Sequence, residues 1–254
     1  MTETVVGRNA IVEILRAGRR PVIRLYVAET AQPRGALAEL LETASKRNIP
    51  VERRPRERLP GGEETHGVSA DVGDYPYSDL AEILDQAEAR GEPALVLLLD
   101  AVQDPQNLGT LLRTAEAVGV HGVVLPYRHG VGVTAAVVRV SSGASEHLLV
   151  ARENLAQAIA RLKERDVWVL GLDLDRGAGP LAQADLRRPI GLVVGGEGSG
   201  LRRLVRDSCD GLVRLPMRGR VASLNAAVAG SVALYAAWAQ RGYAGDSIDA
   251  PAES

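Results

Sequence analysis

Leu97-Leu-Leu-Asp-Ala-Val-Gln-Asp-Pro-Gln-Asn-Leu-Gly109, followed by Thr110-Leu-Leu-Arg113, is the stretch from which the rest of this chain can be read. It opens on an apolar run, crosses a polar loop and enters a helix. Asp104 is placed to cap that helix, and Pro105 suits its first turn because proline's missing N–H is not needed there. An apolar strand running through a polar loop into a helix is how an α/β protein presents reactive groups at the carboxyl ends of its strands. Two later stretches share the design: Leu192-Val-Val-Gly-Gly-Glu-Gly-Ser-Gly-Leu201 and Leu215-Pro-Met-Arg-Gly-Arg-Val-Ala-Ser-Leu-Asn225.

Outward from these loops, apolar runs recur at Leu95–Leu99, Val123–Leu125, Leu148–Val150, Val167–Leu172, Leu192–Gly195 and Leu212–Leu215. They are apolar on both faces, so the sheet they predict is parallel and covered by helices on both sides. The first 75 or so residues read as a smaller α/β unit with helices at Ala10–Arg16 and Ala36–Arg47 and strands at Val22–Val27 and Val68–Val72. Ser78 is a candidate N-cap for a helix over Asp79–Ala89, which Gly91-Glu-Pro93 stops. The segmentation that follows is a first domain over 1–76, a helical linker over 77–92, a larger parallel-sheet domain over 93–244 and a disordered tail over 245–254.

Composition narrows the class. A chain of 254 residues that is 46% hydrophobic and 24% charged is an ordinary globular protein with a good core. Its one cysteine, Cys209, excludes an internal disulfide framework and fits a reducing cytoplasm. His66, His121, His129 and His147 stand in unrelated contexts, so no metal site is expected. The N-terminus lacks the order of a signal peptide, and the apolar run Ala226–Ala239 falls short of the ~20 residues that span a bilayer. A net charge of −2 argues against nonspecific coating of nucleic acid, although the distribution of charge matters more than its sum. Between Lys46 and Arg58, six cationic side chains face two carboxylates, a local charge of +4. Arg53, Arg54 and Arg56 there read either as a solvated loop or as a phosphate-contacting patch. With no Phe, two Trp and six Tyr, a broad base-stacking platform is not expected.

Each loop also has a plain reading. Asn107 could be a turn residue, and Arg113 could merely pair with Glu116 one helical turn on. The two lie about 240° apart around the helix, so they converge on one ligand only if Asn107 acts from its mouth. Glu197 sits among glycines, either as an idle loop tip or as a carboxylate aimed by the loop. The G-x-G-x-G spacing departs from the dinucleotide fingerprint G-x-G-x-x-G, which weakens a dehydrogenase reading. Ser223 could be the N-cap of the helix over Asn225–Arg241, whose small residues allow a close intramolecular or dimer contact.

Taken together, D-x-V-x-D-P-x-N-L-G-x-x-x-R-T-A-E-A-x-G-V, G-x-E-G-x-G-L and P-M-x-G-x-x-x-S-L-N closely resemble the three motifs of the SpoU-type (TrmH-like) RNA 2′-O-ribose methyltransferases, in the SPOUT superfamily. Ser141-Ser-Gly-Ala-Ser-Glu146 is similar to the family's S-A-G-A-x-E. Val6-Gly-Arg-Asn-Ala10 and Thr65-His-Gly-Val68 resemble its small RNA-substrate-binding domain. One departure is Asn225-Ala-Ala-Val-Ala, where a second serine is more usual.

The resemblance implies an L30e-like N-terminal α/β domain and a parallel-sheet catalytic domain whose C-terminal segment forms a deep trefoil knot. It implies S-adenosyl-L-methionine as cofactor, held by Gly195, Gly196, Leu215, Met217 and Leu224. Arg113, Asn107, Glu197, Ser223 and Asn225 carry catalysis in this reading. It also implies a cytoplasmic homodimer packed through the knot, with no membrane and no metal. The two-domain form looks most like the enzymes that methylate a guanosine in the peptidyl-transferase-centre P loop of 23S rRNA. A tRNA methyltransferase or an antibiotic-resistance rRNA methyltransferase is the alternative. A non-catalytic RNA-binding ribosome-assembly factor is the alternative of another class.

Overall fold

This computed structural model describes residues 2–246, apart from 176, 197–199 and 222 and the side chain of Glu63. The tail expected over 245–254 therefore lies, from residue 247, outside the described residues. Two compact units emerge: Met1–Pro76 with Gly132–His147, and Tyr77–Val131 with Leu148–Ser254.

The first unit runs β1 (Glu3–Val6), α1 (Arg8–Ala17), β2 (Val22–Ala28), α2 (Ala36–Lys46), β3 (Val51–Arg54) and β4 (Val68–Val72). Its sheet has the order β1-β4-β2-β3, with β4 antiparallel to both neighbours and β3 parallel to β2. Sequence patterning locates α1, β2, α2 and β4 but misses β1 and β3. The second omission has a physical reason: β3 reads Val-Glu-Arg-Arg and buries no side chain fully, so backbone bonds to β2 rather than an apolar face define it. Residues 132–147, which the sequence segmentation assigns to the catalytic domain, cluster with this unit. Arg20 grips Glu146 with two bonds, Nε to Oε2 at 3.0 Å and Nη2 to Oε1 at 2.7 Å, both side chains being buried. The Tyr75 hydroxyl donates to the Ser145 carbonyl at 2.6 Å. Neither contact leaves a local trace in the sequence.

The second unit carries α3 (Leu80–Arg90), β5 (Leu95–Asp100), α4 (Pro105–Ala117) and β6 (Gly122–Pro126). After α5 (Ala135–Val140), which belongs to the first unit, it resumes with β7 (Val150–Glu153), α6 (Leu155–Glu164), β8 (Trp168–Leu172) and β9 (Gly179–Pro180). It closes with β10 (Ile190–Gly195), α7 (Arg203–Ser208), β11 (Gly211–Arg214) and α8 (Ala226–Gln240). Every pairing is parallel in the order β7-β6-β5-β10-β8-β11-β9. Val96, Leu98, Val124, Val169 and Val193 pack one face of this sheet against α3, α6 and α7. On the other face, α8 packs against α4 and β10. Gly230 makes that approach possible, since a Cβ there would fall 2.5 Å from Leu111 Cδ2 and 3.1 Å from Val194 Cγ2.

Two expectations about helix starts are corrected. Asp79, not Ser78, caps α3 by accepting from Glu82 N at 2.9 Å, while Ser78 bridges to Ala151. Asn225, not Ser223, caps α8, its side-chain oxygen accepting from Ala227 N and Val228 N. Among the described residues no helix is long and apolar enough to cross a membrane.

Candidate active site

The three loops meet at the carboxyl ends of β5, β10 and β11. β5 ends in Asp100, fully buried, whose carboxylate accepts from Arg202 N at 2.7 Å and Arg202 Nε at 2.6 Å. One residue on, Ala101 adopts φ 60°, a left-handed conformation that costs a non-glycine residue ~1–2 kcal/mol. This turn lays the Ala101 carbonyl against Gly196, where a Cβ would sit 2.3 Å from the carbonyl oxygen. A Cβ on Gly195 would sit 2.3 Å from the Gly200 carbonyl carbon. Both glycines are demanded by backbone lying on backbone. Glu197 lies outside the described residues.

Asp104 caps α4 as its position predicts, accepting from Gln106 N at 2.9 Å behind Pro105. Asn107, in the first turn, is buried, and its Oδ1 accepts from Asn225 Nδ2 at 3.0 Å. Asn225 thus uses its oxygen to cap α8 and its nitrogen to fix Asn107, joining the first and third loops. A second tie, between Thr114 Oγ1 and Ser231 Oγ at 2.9 Å, joins the same two helices further along.

Two cavities result. One, of about 320 Å³, is walled by Leu172, Leu174 and Val194 and reaches Gly195, Gly196, Leu215, Met217, Ser223 and Leu224. All five residues expected to bind a cofactor therefore line one space. The other, of about 440 Å³, is bounded by Ala101–Asp104 and Asn107. Gly196 and Ala226 line both. Arg113 lies outside either lining, exposed on α4.

Asp100 and Arg202 went unread in the sequence. The one available signal was an acid closing a six-residue buried strand, since a buried carboxylate needs a partner. Cys209 offers no nucleophile, because burial first, then nearby Asp210, pushes its thiol up to about 12. In the first unit, Arg53 and Arg56 are exposed, whereas Arg54 is engaged by Glu52 at 2.6 Å and stacks over the Tyr26 ring at 4.6 Å. Of the three arginines proposed as a patch, two present open side chains.

Residues 94–235 match the SpoU rRNA methylase family, and residues 4–78 match the RNA 2′-O ribose methyltransferase substrate-binding family. A Bacillus subtilis protein named as a TrmH-family tRNA/rRNA methyltransferase is 40% identical over 95% of this chain and 97% of its own. A 23S rRNA (guanosine-2′-O-)-methyltransferase of Bordetella pertussis is 40% identical over 94% of this chain and 98% of its own. The crystal structure of the SpoU methyltransferase AviRb from Streptomyces viridochromogenes, in complex with AdoMet, superposes with a TM-score of 0.80 at 28% identity, covering 95% of this chain and 91% of that one.

Proposed function

We propose that this chain, which belongs to the SpoU rRNA methylase family, methylates the ribose 2′-hydroxyl of a guanosine in the peptidyl-transferase-centre P loop of 23S rRNA. That it is an RNA methyltransferase follows from its relatives, and S-adenosyl-L-methionine is the expected cofactor. The observation that carries the reading is the pair of cavities sharing Gly196 and Ala226. A bimolecular transfer needs two adjoining sites, one for donor and one for acceptor.

The first cavity suits the cofactor: about 320 Å³ lies in the range of small-molecule sites, and its walls are mostly apolar, with glycine backbone, Ser223 and Asp173 between them. Gly195, Gly196, Leu215, Met217 and Leu224 would hold S-adenosyl-L-methionine, which supplies a methyl group carried on a sulfonium centre. The second cavity, with Asp104 and Asn107, would hold the acceptor ribose. Alignment of the attacking oxygen supplies much of the rate in such a displacement. Asn107, fixed by Asn225, serves that alignment, with Ser223 at the cofactor side. A guanidinium does not deprotonate in proteins, so Arg113, which lies outside both linings on the exposed face of α4, is assigned to orienting the substrate's phosphate and hydroxyl from beyond the cavity walls rather than to acting as base. Glu197 or a substrate phosphate accepts the proton.

The same reading includes a trefoil knot in the C-terminal segment, a cytoplasmic location and a homodimer. Exposed Val228, Val232 and Tyr235, at i, i+4 and i+7 on α8, support the last. Arg53 and Arg56 belong to the RNA-reading surface of the first unit, with Arg54 held between Glu52 and Tyr26. The test is to map 2′-O-methyls in rRNA and tRNA from a strain lacking this protein. Loss at one P-loop guanosine supports the assignment; loss at a tRNA position selects the alternative.

A further inference from the structure

Outside these two cavities, the second unit holds a third concavity of about 440 Å³, where β6 and β7 end. Its floor is apolar, from Pro126, Leu155 and Val205, and its rim carries Tyr127, Arg128 and Arg202. One rim group and one neighbouring backbone bond connect it to the active site. Arg202 is the residue that holds Asp100 at the end of β5. Five residues past β6, Val131 N donates to the Val102 carbonyl at 3.0 Å, tying this loop to the acceptor loop.

Tyr127 is unusual in a chain so short of aromatics: the residue is 62% exposed yet its ring has a cation close by. The Arg152 guanidinium lies 6.0 Å from the Tyr127 ring centre and 5.5 Å from that of Tyr77, and its Nη2 donates to the Tyr127 carbonyl at 3.0 Å. A ring held in place beside a cation and otherwise open is a stacking surface whose ordering cost is already met. In the same lining, Leu204 is 67% exposed at the start of α7. Asn154 spends its side-chain oxygen on capping α6, which leaves its amide N–H groups to turn towards a ligand. Glu153, the acid in the lining, is neutralised by Arg161 at 2.7 Å, and Arg202 is balanced by Asp100, so the cationic character of the rim comes from Arg128.

We propose that this concavity is a subsite for one extruded nucleobase of the RNA, a neighbour of the methylated nucleotide, stacked on Tyr127 and facing Leu204, with Arg128 and Arg202 meeting its phosphates. It rests on the RNA-methyltransferase reading and adds a sequence-reading element to it. The apolar floor and single ring fit one unpaired base rather than a helix or an extended strand. The cationic rim favours RNA over an acidic protein surface and gives no reason to expect a second copy of this chain.

The test uses the full chain, S-adenosyl-L-methionine and short unmodified transcripts containing the 23S P loop. RNA binding is followed by fluorescence anisotropy, independently of turnover. Tyr127→Ala is expected to raise the RNA Kd and KM roughly tenfold with kcat and cofactor affinity little changed, since stacking one base is worth ~1–3 kcal/mol. Tyr127→Phe should behave like the parent, and Leu204→Glu should weaken RNA binding by repelling the backbone. An abasic nucleotide walked through the transcript should find one position where the parent loses the same factor and Tyr127→Ala loses nothing more. Parent-like RNA binding by both Tyr127→Ala and Leu204→Glu overturns the subsite, as does additivity at every abasic position. A change of oligomer mass in place of RNA affinity assigns the face to a contact between copies and likewise overturns it. Firm RNA binding without methyl transfer by the parent would defeat the functional reading alone, whereas a parent that binds no RNA defeats both.

Discussion

At the amino end of the parallel sheet, Arg241, just past α8, donates to the carbonyls of Leu186, Arg188, Pro93 and Ala94, which lead into β10 and β5. Beside it the buried His121 ring accepts from Leu95 N at 3.0 Å and meets Glu92 at 3.0 Å. At the carboxyl end the same strands run into glycines, a left-handed alanine and two cavities that share a wall. One end uses side chains to satisfy backbone; the other brings backbone against backbone and keeps space open. α8 spans both, its Asn225 cap in the active site and its Arg241 in the lock. Rigidity at the amino end is what lets the other end hold strained, open loops in a fixed geometry.

The comparison predicts that damage at the two ends will read out differently. Arg113→Ala, on the helix that starts in the site, is expected to lower the methylation rate ~10²–10³-fold, about 3–4 kcal/mol on the barrier. The exposed position should leave the unfolding midpoint and cofactor affinity close to those of the parent. Single-turnover methylation beside calorimetric titration checks this, and near-parent turnover removes Arg113 from the mechanism. Arg241→Ala should do the reverse. It strips a charged donor from four carbonyls, and hydrogen bonds to charged groups are worth ~1.5–3 kcal/mol each without being additive. A stability loss of about 3 kcal/mol in urea, with the folded fraction still methylating at the parent's rate, is the expected result. Arg241→Lys should recover only part of it, because a point charge cannot fork across several carbonyls.

The two ends were also unequally legible. The carboxyl end announced itself, because Asp104-Pro105, Gly195-Gly196 and Leu215-Pro216-Met217 each carry a local conformational demand that a sequence must meet. Five strands of this sheet could be read to within about two residues, since a parallel strand buried on both faces is a continuous apolar run. β7 was read too early, at Leu148–Val150 rather than Val150–Glu153, because Arg152 and Glu153 break its pattern. β9, a two-residue edge, gave no pattern at all. Asp100–Arg202 and Arg20–Glu146 were invisible: their partners are 102 and 126 residues apart, and no local rule pairs them. Ser223 and Asn225 are equally good caps in isolation, and what distinguishes them is where α8 begins, with Asn225 bonded to Ala227 N and Val228 N and tied to Asn107.

Asp100→Asn sharpens the contrast from inside the active site. Asparagine keeps the shape but offers one oxygen, turning its amide towards the Arg202 donors that a carboxylate accepts. Arg202 is 39% exposed, so water partly replaces what is lost, and the stability cost should stay at about 1–2 kcal/mol. Arg202 loses its anchor next to Gly200, which lines the cofactor cavity, and cofactor affinity should fall roughly tenfold, about 1.4 kcal/mol. Calorimetric titration beside a urea melt measures both. Unchanged affinity would mean that the clasp supports the fold and not the cofactor loop.

The smallest effect lies at the amino end and depends on pH. Because Leu95 N–H donates to Nδ1, the His121 ring is neutral, with its proton on Nε2 beside Glu92. Burial is the main cause holding its pKa below the usual histidine value, Arg90 and Arg241 adding to it while Glu92 opposes. In the unfolded chain the same ring protonates near pH 6.5. Below that value the unfolded state binds a proton the folded state refuses, so His121 costs the fold progressively more stability as pH falls from there; above it the penalty is absent. His121→Gln keeps an acceptor for Leu95 N and has nothing to titrate. Urea midpoints taken at about pH 7.5 and pH 5.5, on either side of the free histidine value, should therefore fall further for the parent than for the variant. Cofactor affinity of the two proteins should change in parallel over that range, since His121 lies at the opposite end of the strands from the site. Equal pH slopes in the two melts would show that the folded ring takes its proton as readily as the unfolded one. The amino end would then be softer than its hydrogen bonds imply.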